Sequence, residues 1–351
     1  MNFITEFDLK IDEENWISNL KKTECVSGYQ LPNWLEIYKK SWNSIPLFIT
    51  VKNQNSEIVG QLACVIHQTF HWRNSKSISK FLGQKFNLSS TLYWAYGPII
   101  HDKLNRDLIL SEILTAVNKI ISENNITFVN CSSSPFDPID YRTFENFGYS
   151  KKIWSTYVLD LIKNNSDLLS SFNKKIRYDI KQALKMNLQF EVVSDRKQFD
   201  EFAKFGISSK NLKGDSRKWN PDFYDNYWNL MYKTGFHKAF LVRDKNEILG
   251  AIDALIFNGN IVQIGATNSP TQRFGSGTFL TFKTIEWAIE QNLKKFDFGG
   301  VNPNPVNKKE KQIGFYKSKW SGEKKDYYLF TKIINISKTK LASLLKRQTT
   351  F

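Results

Sequence analysis

The chain has 351 residues, of which 41% are hydrophobic and 24% charged, and its formal net charge is +15. This length and ordinary globular composition predict two domains of about 150–200 residues and exclude a disordered protein. No run approaches the ~20 apolar residues of a membrane-spanning helix. The acidic start MNFITEFDLKIDEENW lacks the basic segment followed by an apolar segment that is typical of a signal peptide. Cys25, Cys64 and Cys131 are widely spaced and odd in number, so the sequence favours neither a disulfide framework nor a zinc site. We expect a cytoplasmic, reduced protein.

The excess of lysine and arginine indicates a polyanionic partner, such as RNA, a nucleotide phosphate or an anionic membrane surface. The alternative is a composition bias toward Lys and Asn without functional meaning.

An internal repeat is the most informative feature of the sequence. Residues 48–66 read FITVKNQNSEIVGQLACVI and residues 240–256 read FLVRDKNEILGAIDALI. Each segment predicts a strand, a polar turn and a second strand, which together form a hairpin. Glu57, Ile58 and Gly60 match Glu247, Ile248 and Gly250. A glycine at this place indicates a bulge or a close backbone approach.

The elements after each hairpin also correspond. The first copy continues with a strand (92–96), a helix (105–123) and a strand (126–131). The second continues with a strand (261–266), a helix (277–291) and a strand (295–298). The apolar spacing of three and four residues in both helices is typical of a buried amphipathic face. We therefore predict an α/β fold with mixed sheets, arranged as two pseudo-symmetric tandem domains.

The predicted domains comprise residues 1–153 and 154–335, followed by a basic helix or tail over residues 336–351. The second domain begins with the strand WSTYVLDL (154–161), and a basic helix follows from about Asn165 to Met186. Two more helices are predicted, at about 196–210 and 221–232.

A glycine-rich loop precedes the last long helix. It consists of Gln272, Arg273, Phe274, Gly275, Ser276 and Gly277. Such glycines let backbone N–H groups approach an anion, and the helix N-terminus favours negative charge. The loop resembles the Q/R-x-x-G-x-G/A loop of GNAT acyltransferases, which implies binding of the pyrophosphate of acyl-CoA. The alternative is a glycine-rich helix cap.

The segment DFGGVNPNPVNKKEKQIGFYKSKWSG (297–322) and the basic helix near residue 177 resemble the Fem-type aminoacyl (peptidyl) transferases, which are duplicated GNAT enzymes. Their pattern is "yDfgG", a loop and "G-x-x-x-F-K-x-x-F-G-G", and Ser321 departs from it. The resemblance implies that Lys317 is catalytic and contacts tRNA, with Tyr316 beside it. The ammonium group of Lys317 can neutralise charge on an ester carbonyl oxygen, or it can be an ordinary surface lysine.

Asp297 ends a predicted parallel strand, where sites in α/β sheets often lie, so we take it as catalytic; the alternative is a carboxylate bound by loop amides. Glu247, Asp253 and Asp297 are candidates for the general base that an amine acceptor requires. Residues expected to bind substrate are Arg177, Lys181, Arg217, Tyr224 and Tyr316. For Arg177 and Lys181 the alternative is the solvated face of an amphipathic helix.

These features lead to three interpretations. The first is transfer of an aminoacyl group from aminoacyl-tRNA to an amine of a peptidoglycan or other cell-envelope precursor. The second is an acyl-CoA-dependent N-acyltransferase acting on an amino sugar or envelope polymer, and the third is a non-catalytic RNA- or envelope-binding protein. We expect no metal and no tightly bound cofactor. We also expect a monomer, with peripheral membrane contact through the basic C-terminal segment.

Overall fold

The computed structural model describes residues 2–24, 26–68, 90–137, 139–162, 168–212, 221–269 and 275–340. It divides into two compact units. Unit 1 contains the described residues of Met1–Ile153, Asn220–Asn226 and Tyr327–Phe351, and unit 2 those of Trp154–Trp219 and Tyr227–Asp326.

The strands and helices alternate in a similar order in both halves of the chain. The first half contains strands β1 (Ile4–Asp8), β2 (Ile45–Lys52), β3 (Ile58–Gln68), β4 (Ser90–Trp94), β5 (Ile99–Ile100), β6 (Phe128–Ser132) and β7 (Ser150–Asp160) and helices α1 (Glu13–Leu20), α2 (Pro32–Trp42), α3 (Arg106–Glu123) and α4 (Tyr141–Asn146). The second half contains helices α5 (Leu168–Ser171), α6 (Lys174–Ala183), α7 (Arg196–Leu212), α8 (Pro221–Tyr227), α9 (Ser276–Glu290) and α10 (Lys308–Ser318) and strands β8 (Gln189–Val192), β9 (His237–Asp244), β10 (Glu247–Phe257), β11 (Asn260–Asn268), β12 (Lys295–Asp297) and β13 (Glu323–Ile333).

The sheet of unit 1 has the strand order β1-β2-β3-β4-β6-β13, and β5 also pairs with β3. The pairs from β1 to β4 are antiparallel, β4 and β6 are parallel, and β13 is antiparallel to β6. Helix α3 makes the crossover between the two parallel strands. Its buried residues include Ile109, Ile113 and Val117, which pack in the apolar core against the sheet.

The sheet of unit 2 has the order β7-β12-β11-β10-β9-β8. An antiparallel β9–β10 hairpin is followed by antiparallel β11, the crossover helix α9 and the parallel strand β12. Strand β8 is antiparallel to β9, just as β1 is antiparallel to β2 in unit 1. The predicted mixed α/β fold and its duplication are confirmed.

Both hairpins contain the same one-residue bulge. Val51 pairs with Gly60 while its neighbour Lys52 pairs with Ile58, so Val59 has no opposite residue. In the second hairpin Val242 pairs with Gly250 and Arg243 with Ile248. The bulge predicted at these glycines is therefore confirmed in both copies.

The bulged glycine allows the crossover helix to approach the hairpin. A Cβ atom on Gly60 would lie 2.6 Å from Cγ2 of Ile109 in α3. A Cβ atom on Gly250 would lie 3.2 Å from Cγ1 of Val242 and 3.4 Å from Cδ2 of Leu280 in α9. The repeat thus preserves a packing requirement as well as a turn.

The basic helix predicted from Asn165 to Met186 is shorter and interrupted. Residues 163–167 lie outside the described part of the chain, and the described helix is divided into α5 and α6. Asn173 separates them because its side chain accepts a hydrogen bond from the backbone N–H of Lys175 and caps α6. A 3-10 turn over Leu184–Met186 ends the segment.

The C-terminal segment is helical over residues 336–340, and residues 341–351, on which the expected membrane contact depends, lie outside the described residues. Across the described residues, none of the helices combines the length and hydropathy that crossing a bilayer requires.

Replacing Gly60 with Ala should destabilise the protein, because the added methyl group collides with Ile109. Overpacking of this kind typically lowers the free energy of unfolding by about 1–3 kcal/mol. Gly314→Ala is the matched control: Gly314 lies within α10, and its added Cβ would meet nothing within 4 Å among the described residues. That change should raise stability by roughly 0.5–1 kcal/mol. Urea denaturation measures both, and a Gly60→Ala protein as stable as the wild type would contradict the packing argument.

Candidate active site

A cleft opens in unit 2 where two parallel strands separate. Strands β11 and β12 pair only from Asn260 opposite Lys295 to Val262 opposite Asp297. Beyond these residues β11 continues along β10, where Gly265 to Asn268 pair with Asp253 to Gly250. The chain after β12 follows β7 instead, since the N–H of Phe298 donates to the carbonyl of Tyr157 (3.0 Å). The strands diverge because each remains bonded to its other neighbour.

The resulting cleft has a volume of about 600 Å³ and four walls. Strand β11 contributes Gln263 to Ala266, and the turn after β12 contributes Phe298, Gly299 and Gly300. The first turns of α9 and one side of α10 complete the lining, with Gly275, Gly277, Thr278, Thr281, Lys309, Gln312, Ile313, Tyr316 and Lys317 among their residues.

Among the described residues, Lys317 is one of two lysines that line this cleft. Its Nζ donates hydrogen bonds to the carbonyl oxygens of Gly299 (2.9 Å) and Gly300 (3.3 Å). An ammonium group has three N–H donors, so one donor has no partner among the described residues. Because Lys317 lines the cleft, this donor is available to an oxygen atom of a bound ligand.

The turn that receives Lys317 is held by a buried carboxylate. Asp297 and Thr156 are completely buried. Oδ1 of Asp297 accepts a hydrogen bond from the N–H of Gly299 (2.8 Å) and another from the hydroxyl of Thr156 in β7. The Thr156 hydroxyl also lies 2.9 Å from the carbonyl oxygen of Gly299. Asp297 therefore fixes the carbonyl groups that orient Lys317.

Gly299 is required by the geometry of this turn. Its φ of +77° lies in the left-handed region, which side chains disfavour. A Cβ atom at this position would lie 2.5 Å from the carbonyl oxygen of Gln263 and 3.6 Å from Nζ of Lys317. The glycine pair after Asp297 thus allows the turn to pass directly against β11.

Burial lowers the pKa of Lys317 to about 8, and the negative charge of Asp297 partly opposes this shift. Desolvation disfavours the charged form of an amine, whereas a nearby carboxylate stabilises it. Lys317 therefore changes from an ammonium group to a neutral amine as the pH rises through about 8.

Tyr316 joins α10 to the start of α9. Its hydroxyl lies 3.2 Å from the carbonyl oxygen of Gly277 and 3.0 Å from Oγ1 of Thr281. Burial raises the pKa of Tyr316 to about 12, so the phenol stays protonated at neutral pH. Tyr316 therefore orders the wall of the cleft that lies beside Lys317.

The predicted phosphate loop lies partly outside the described residues. Gln272, Arg273 and Phe274 belong to that part, whereas Gly275 caps α9 with a φ of +87°. Gly275 and Gly277 line the cleft, and Ser276 is completely buried. The N-terminus of α9 therefore borders the space in which a ligand would lie.

Other residues expected to bind substrate are not brought into the cleft. Arg177 and Lys181 lie on α6, which packs against the start of α9, but neither side chain lines the cleft. Tyr224 lies in α8 within unit 1, where its ring contacts that of Phe223 (centroids 5.3 Å apart). Arg217 lies outside the described residues.

Unit 1 has no comparable opening at the equivalent place among its described residues. After β4, the N–H groups of Tyr96 and Gly97 still bond to Ser132 at the end of β6 (3.0 and 3.1 Å). The buried side chain of Gln30 accepts from the N–H of Ala63 (2.8 Å) and donates to the carbonyl of Ala95 (2.7 Å). The bonds to Ser132 keep the parallel strands together, while Gln30 connects β3 to the chain just after β4.

Sequence reasoning missed Thr156 and Gln263 as parts of the site. Thr156 follows Ser155 between the apolar residues Trp154 and Tyr157 of β7, and a polar pair between apolar residues of a strand is a signal that could have identified it. No sequence pattern marks Gln263, whose position depends on the separation of β11 from β12. Its Oε1 atom is buried and has no hydrogen-bond partner among the described residues.

Ser321 departs from the glycine of the Fem-type pattern, yet it retains the conformation that the glycine provides. Its φ is +57°, in the left-handed region. The Ser321 hydroxyl donates a hydrogen bond to the carbonyl of Ser171. Gly322 follows, and a Cβ atom there would lie 3.1 Å from the backbone of Val158. The motif thus serves to pass the chain closely across β7.

Comparisons with known proteins place this geometry in a known fold. Residues 170–312 match the family described as "Acetyltransferase (GNAT) domain". The crystal structure of FemX matches with a TM-score of 0.72 at 14% identity, over 97% of this chain and 99% of that one. The chain has a FemAB-like duplicated GNAT fold. It is an acyltransferase.

Two further structures share this duplicated GNAT fold. A tandem GNAT protein from the clavulanic acid biosynthesis pathway matches with a TM-score of 0.54 at 9% identity, over 94% of this chain and 98% of that one. The C-terminal domain of a putative lysylphosphatidylglycerol synthetase from Agrobacterium fabrum matches with a TM-score of 0.56 at 12% identity, over 96% of each chain. No curated protein matches the chain in sequence.

An NMR titration of the lysine side chains should find a pKa near 8 for Lys317. Asp297→Asn should lower this pKa further, because it removes the negative charge that stabilises the ammonium form. The neutral amide retains an oxygen that can accept from the N–H of Gly299. Lys317→Gln assigns the signal by removing it. A Lys317 pKa unchanged from that of an ordinary lysine, or one that rises in Asp297→Asn, would contradict the electrostatic description.

Proposed function

We propose that this acyltransferase moves an aminoacyl group from aminoacyl-tRNA to an amine of a peptidoglycan or other cell-envelope precursor. The reaction would take place in the cleft of unit 2. The observation that carries the proposal is the unused N–H donor of Lys317 in that cleft.

Lys317 suits the electronic demand of acyl transfer. Attack of an amine on an ester places negative charge on the carbonyl oxygen, and a fixed donor at that oxygen lowers the barrier. Two hydrogen bonds to Gly299 and Gly300 fix the direction of the remaining donor before substrate binds. In this proposal Asp297 is a positioning residue, since its carboxylate is buried and engaged by Gly299 and Thr156.

Two cationic helices near the cleft support a tRNA donor. On α6, Lys174, Tyr178, Lys181 and Lys185 are exposed and follow one another at helical spacing. On α10, Lys308, Lys311 and Phe315 are exposed, and Nζ of Lys319, just after the helix, lies 3.9 Å from the centre of the Phe315 ring. Lysines neutralise phosphates and exposed aromatic rings stack on bases, so such surfaces suit single-stranded nucleic acid. The fold of FemX and the net charge of +15 are consistent with this donor.

An acyl-CoA donor is the second candidate, and the N-terminus of α9 favours it. Gly275 and Gly277 border the cleft there, and backbone N–H groups at a helix start are suited to a pyrophosphate. The match to an acetyltransferase domain over residues 170–312 is also consistent with acyl-CoA. In either case we propose one donor site, in unit 2, because the equivalent strands of unit 1 stay bonded.

Calorimetry with charged tRNA and with acetyl-CoA, each at two salt concentrations, tests the donor. We expect tRNA binding that weakens as salt rises, because binding releases counterions from phosphates. The double variant Lys181→Glu, Lys185→Glu should weaken it at least tenfold and reduce its salt dependence. The double variant Lys197→Glu, Lys204→Glu alters two exposed lysines on α7, makes the same charge change away from α6 and should have little effect.

The acyl-CoA alternative predicts a different outcome of the same measurement. Acetyl-CoA would bind without salt-sensitive tRNA binding, and Gly275→Asp would abolish that binding by placing a carboxylate at the start of α9. Gly235→Asp is the control, since Gly235 has a similar φ of +80° but does not line the cleft. If neither donor binds, the proposed function is wrong.

Lys317→Met should lower kcat by a factor of about 10²–10³ while changing donor affinity only a few-fold, since the lost donor acts mainly on the developing charge. Lys204→Met is the control, because Lys204 is exposed on α7 and does not line the cleft. Steady-state kinetics with the donor identified by calorimetry provides the measurement. Equal rates for Lys317→Met and the wild type would exclude Lys317 from catalysis.

A further inference from the structure

A second polar cluster in unit 2 is centred on Asp253 in β10. Oδ1 of Asp253 accepts a hydrogen bond from Nε2 of His237 and another from the hydroxyl of Tyr227 (3.2 Å). His237 begins β9 and Tyr227 ends α8, so three separate elements meet at one carboxylate oxygen.

His237 is completely buried among aromatic rings. The ring of Tyr227 lies 4.4 Å from it, and those of Tyr232 and Phe199 lie at 5.7 and 6.4 Å. Its Nδ1 atom has no hydrogen-bond partner among the described residues. Burying a polar ring in this way costs free energy, and its hydrogen bond to Asp253 is the interaction that compensates.

The other carboxylate oxygen lies beside a residue that lines the cleft. Asp253 pairs across the sheet with Gly265, and Gly265 lines the cleft. A Cβ atom on Gly265 would lie 3.4 Å from Cβ of Asp253 and 3.7 Å from its Oδ2. About a quarter of the Asp253 side chain is exposed (25%), and Oδ2 has no hydrogen-bond partner among the described residues. Asp253 itself does not line the cleft, but Gly265 has no side chain to stand between Oδ2 and the cleft.

A bulge in the sheet produces this arrangement. Ala254 pairs with Gln263 but Asp253 pairs with Gly265, so Ile264 is an extra residue in β11. Bulges change the direction in which neighbouring side chains point and occur often beside active sites. Here the bulge lies within the wall of the cleft.

The first copy of the repeat lacks the cluster. The equivalent bulges align Gly60 with Gly250, which places Ala63 at the position of Asp253 and Pro46 at that of His237. The backbone N–H of Ala63 bonds to the side chain of Gln30. The carboxylate and imidazole therefore occur in the copy whose strands separate and not in the copy whose strands stay bonded.

We propose that Asp253 is the general base that removes the proton from the acceptor amine, with His237 and Tyr227 as positioning residues. This inference rests on the proposed function, because it assumes acyl transfer in this cleft. His237 and Tyr227 occupy Oδ1, so that Oδ2 alone is presented to the acceptor. Of the three acids considered from the sequence, Asp297 is buried within its turn and Glu247 begins β10 at the exposed hairpin end.

The proton balance of the reaction is complete with these groups. The acceptor enters as an ammonium ion, and Oδ2 of Asp253 takes one proton to leave a neutral amine with its lone pair. The nitrogen attacks the acyl carbon, a C–N bond forms, and the C–O ester bond (C–S for a thioester) breaks. The leaving oxygen or sulfur departs with the bonding electron pair and takes the second nitrogen proton. Asp253 then returns its proton to solvent.

The test compares two acceptors that differ in whether they need a base. A primary amine of a lysine-containing peptide is protonated at neutral pH, whereas hydroxylamine is already unprotonated. With charged tRNA or acetyl-CoA as donor, Asp253→Asn should lower enzyme-dependent kcat with the peptide amine by about 10²–10⁴-fold, the usual contribution of a general base. Transfer to hydroxylamine and donor affinity should change less than threefold. Glu247→Gln, which alters a carboxylate on the same strand, should change neither rate.

The positioning residues are tested by the same ratio of rates. Tyr227→Phe and His237→Gln should lower transfer to the peptide amine by about 10-fold without affecting hydroxylamine, and Asp253→Glu should recover part of the loss caused by Asp253→Asn. A merely structural role for the cluster would lower both rates equally or neither, and either result would overturn the inference. A wild-type protein that transfers the acyl group to neither acceptor would refute the proposed function itself. Lys317→Met should reduce transfer to both acceptors, because Lys317 acts on the acyl donor in either case.

Discussion

The separation of two parallel strands after a single buried carboxylate determines most of the chemistry of unit 2. Strand β12 stays bonded to β7, strand β11 stays bonded to β10, and the gap between them becomes the cleft. Asp297 lies at the point of divergence, where it binds the N–H of Gly299 and the hydroxyl of Thr156. Because the carboxylate is completely buried, it must be satisfied by such donors, and the turn they stabilise is the one that receives Lys317.

The two copies of the repeat show how one architecture gives different local results. Both contain the bulged hairpin, the crossover helix and the parallel strand pair. In the first copy the chain after β4 continues to bond to Ser132 at the end of β6, so no gap forms there among the described residues. In the second copy β11 bonds to β10 beyond Val262, whereas the chain beyond Asp297 bonds to β7 on the other side. The difference depends on a few hydrogen bonds at the strand ends, since the apolar packing of the two copies is similar.

Electrostatics in the cleft follows from burial. An amine removed from water is easier to deprotonate, and Asp297 limits this effect without forming a direct ion pair with Lys317. The ammonium group is instead bonded to two carbonyl oxygens, which fix its direction but leave a donor unused. A direct carboxylate partner would occupy that donor and neutralise the charge that a developing oxyanion requires. The indirect arrangement retains both the charge and its orientation.

The sequence by itself determined the duplication, the mixed α/β fold and the bulge at each repeated glycine. These features depend on local patterns: strand alternation, helical spacing, turn chemistry and glycine, all of which are written in contiguous residues. It did not distinguish which of Asp253, Asp297 and Glu247 could be the general base, because the role of a carboxylate depends on partners that are distant in the chain. Thr156 lies 141 residues from Asp297, and His237 lies 16 from Asp253. Only the tertiary structure brings these groups together, and only the direction of the strand-end hydrogen bonds decides which unit opens a cleft.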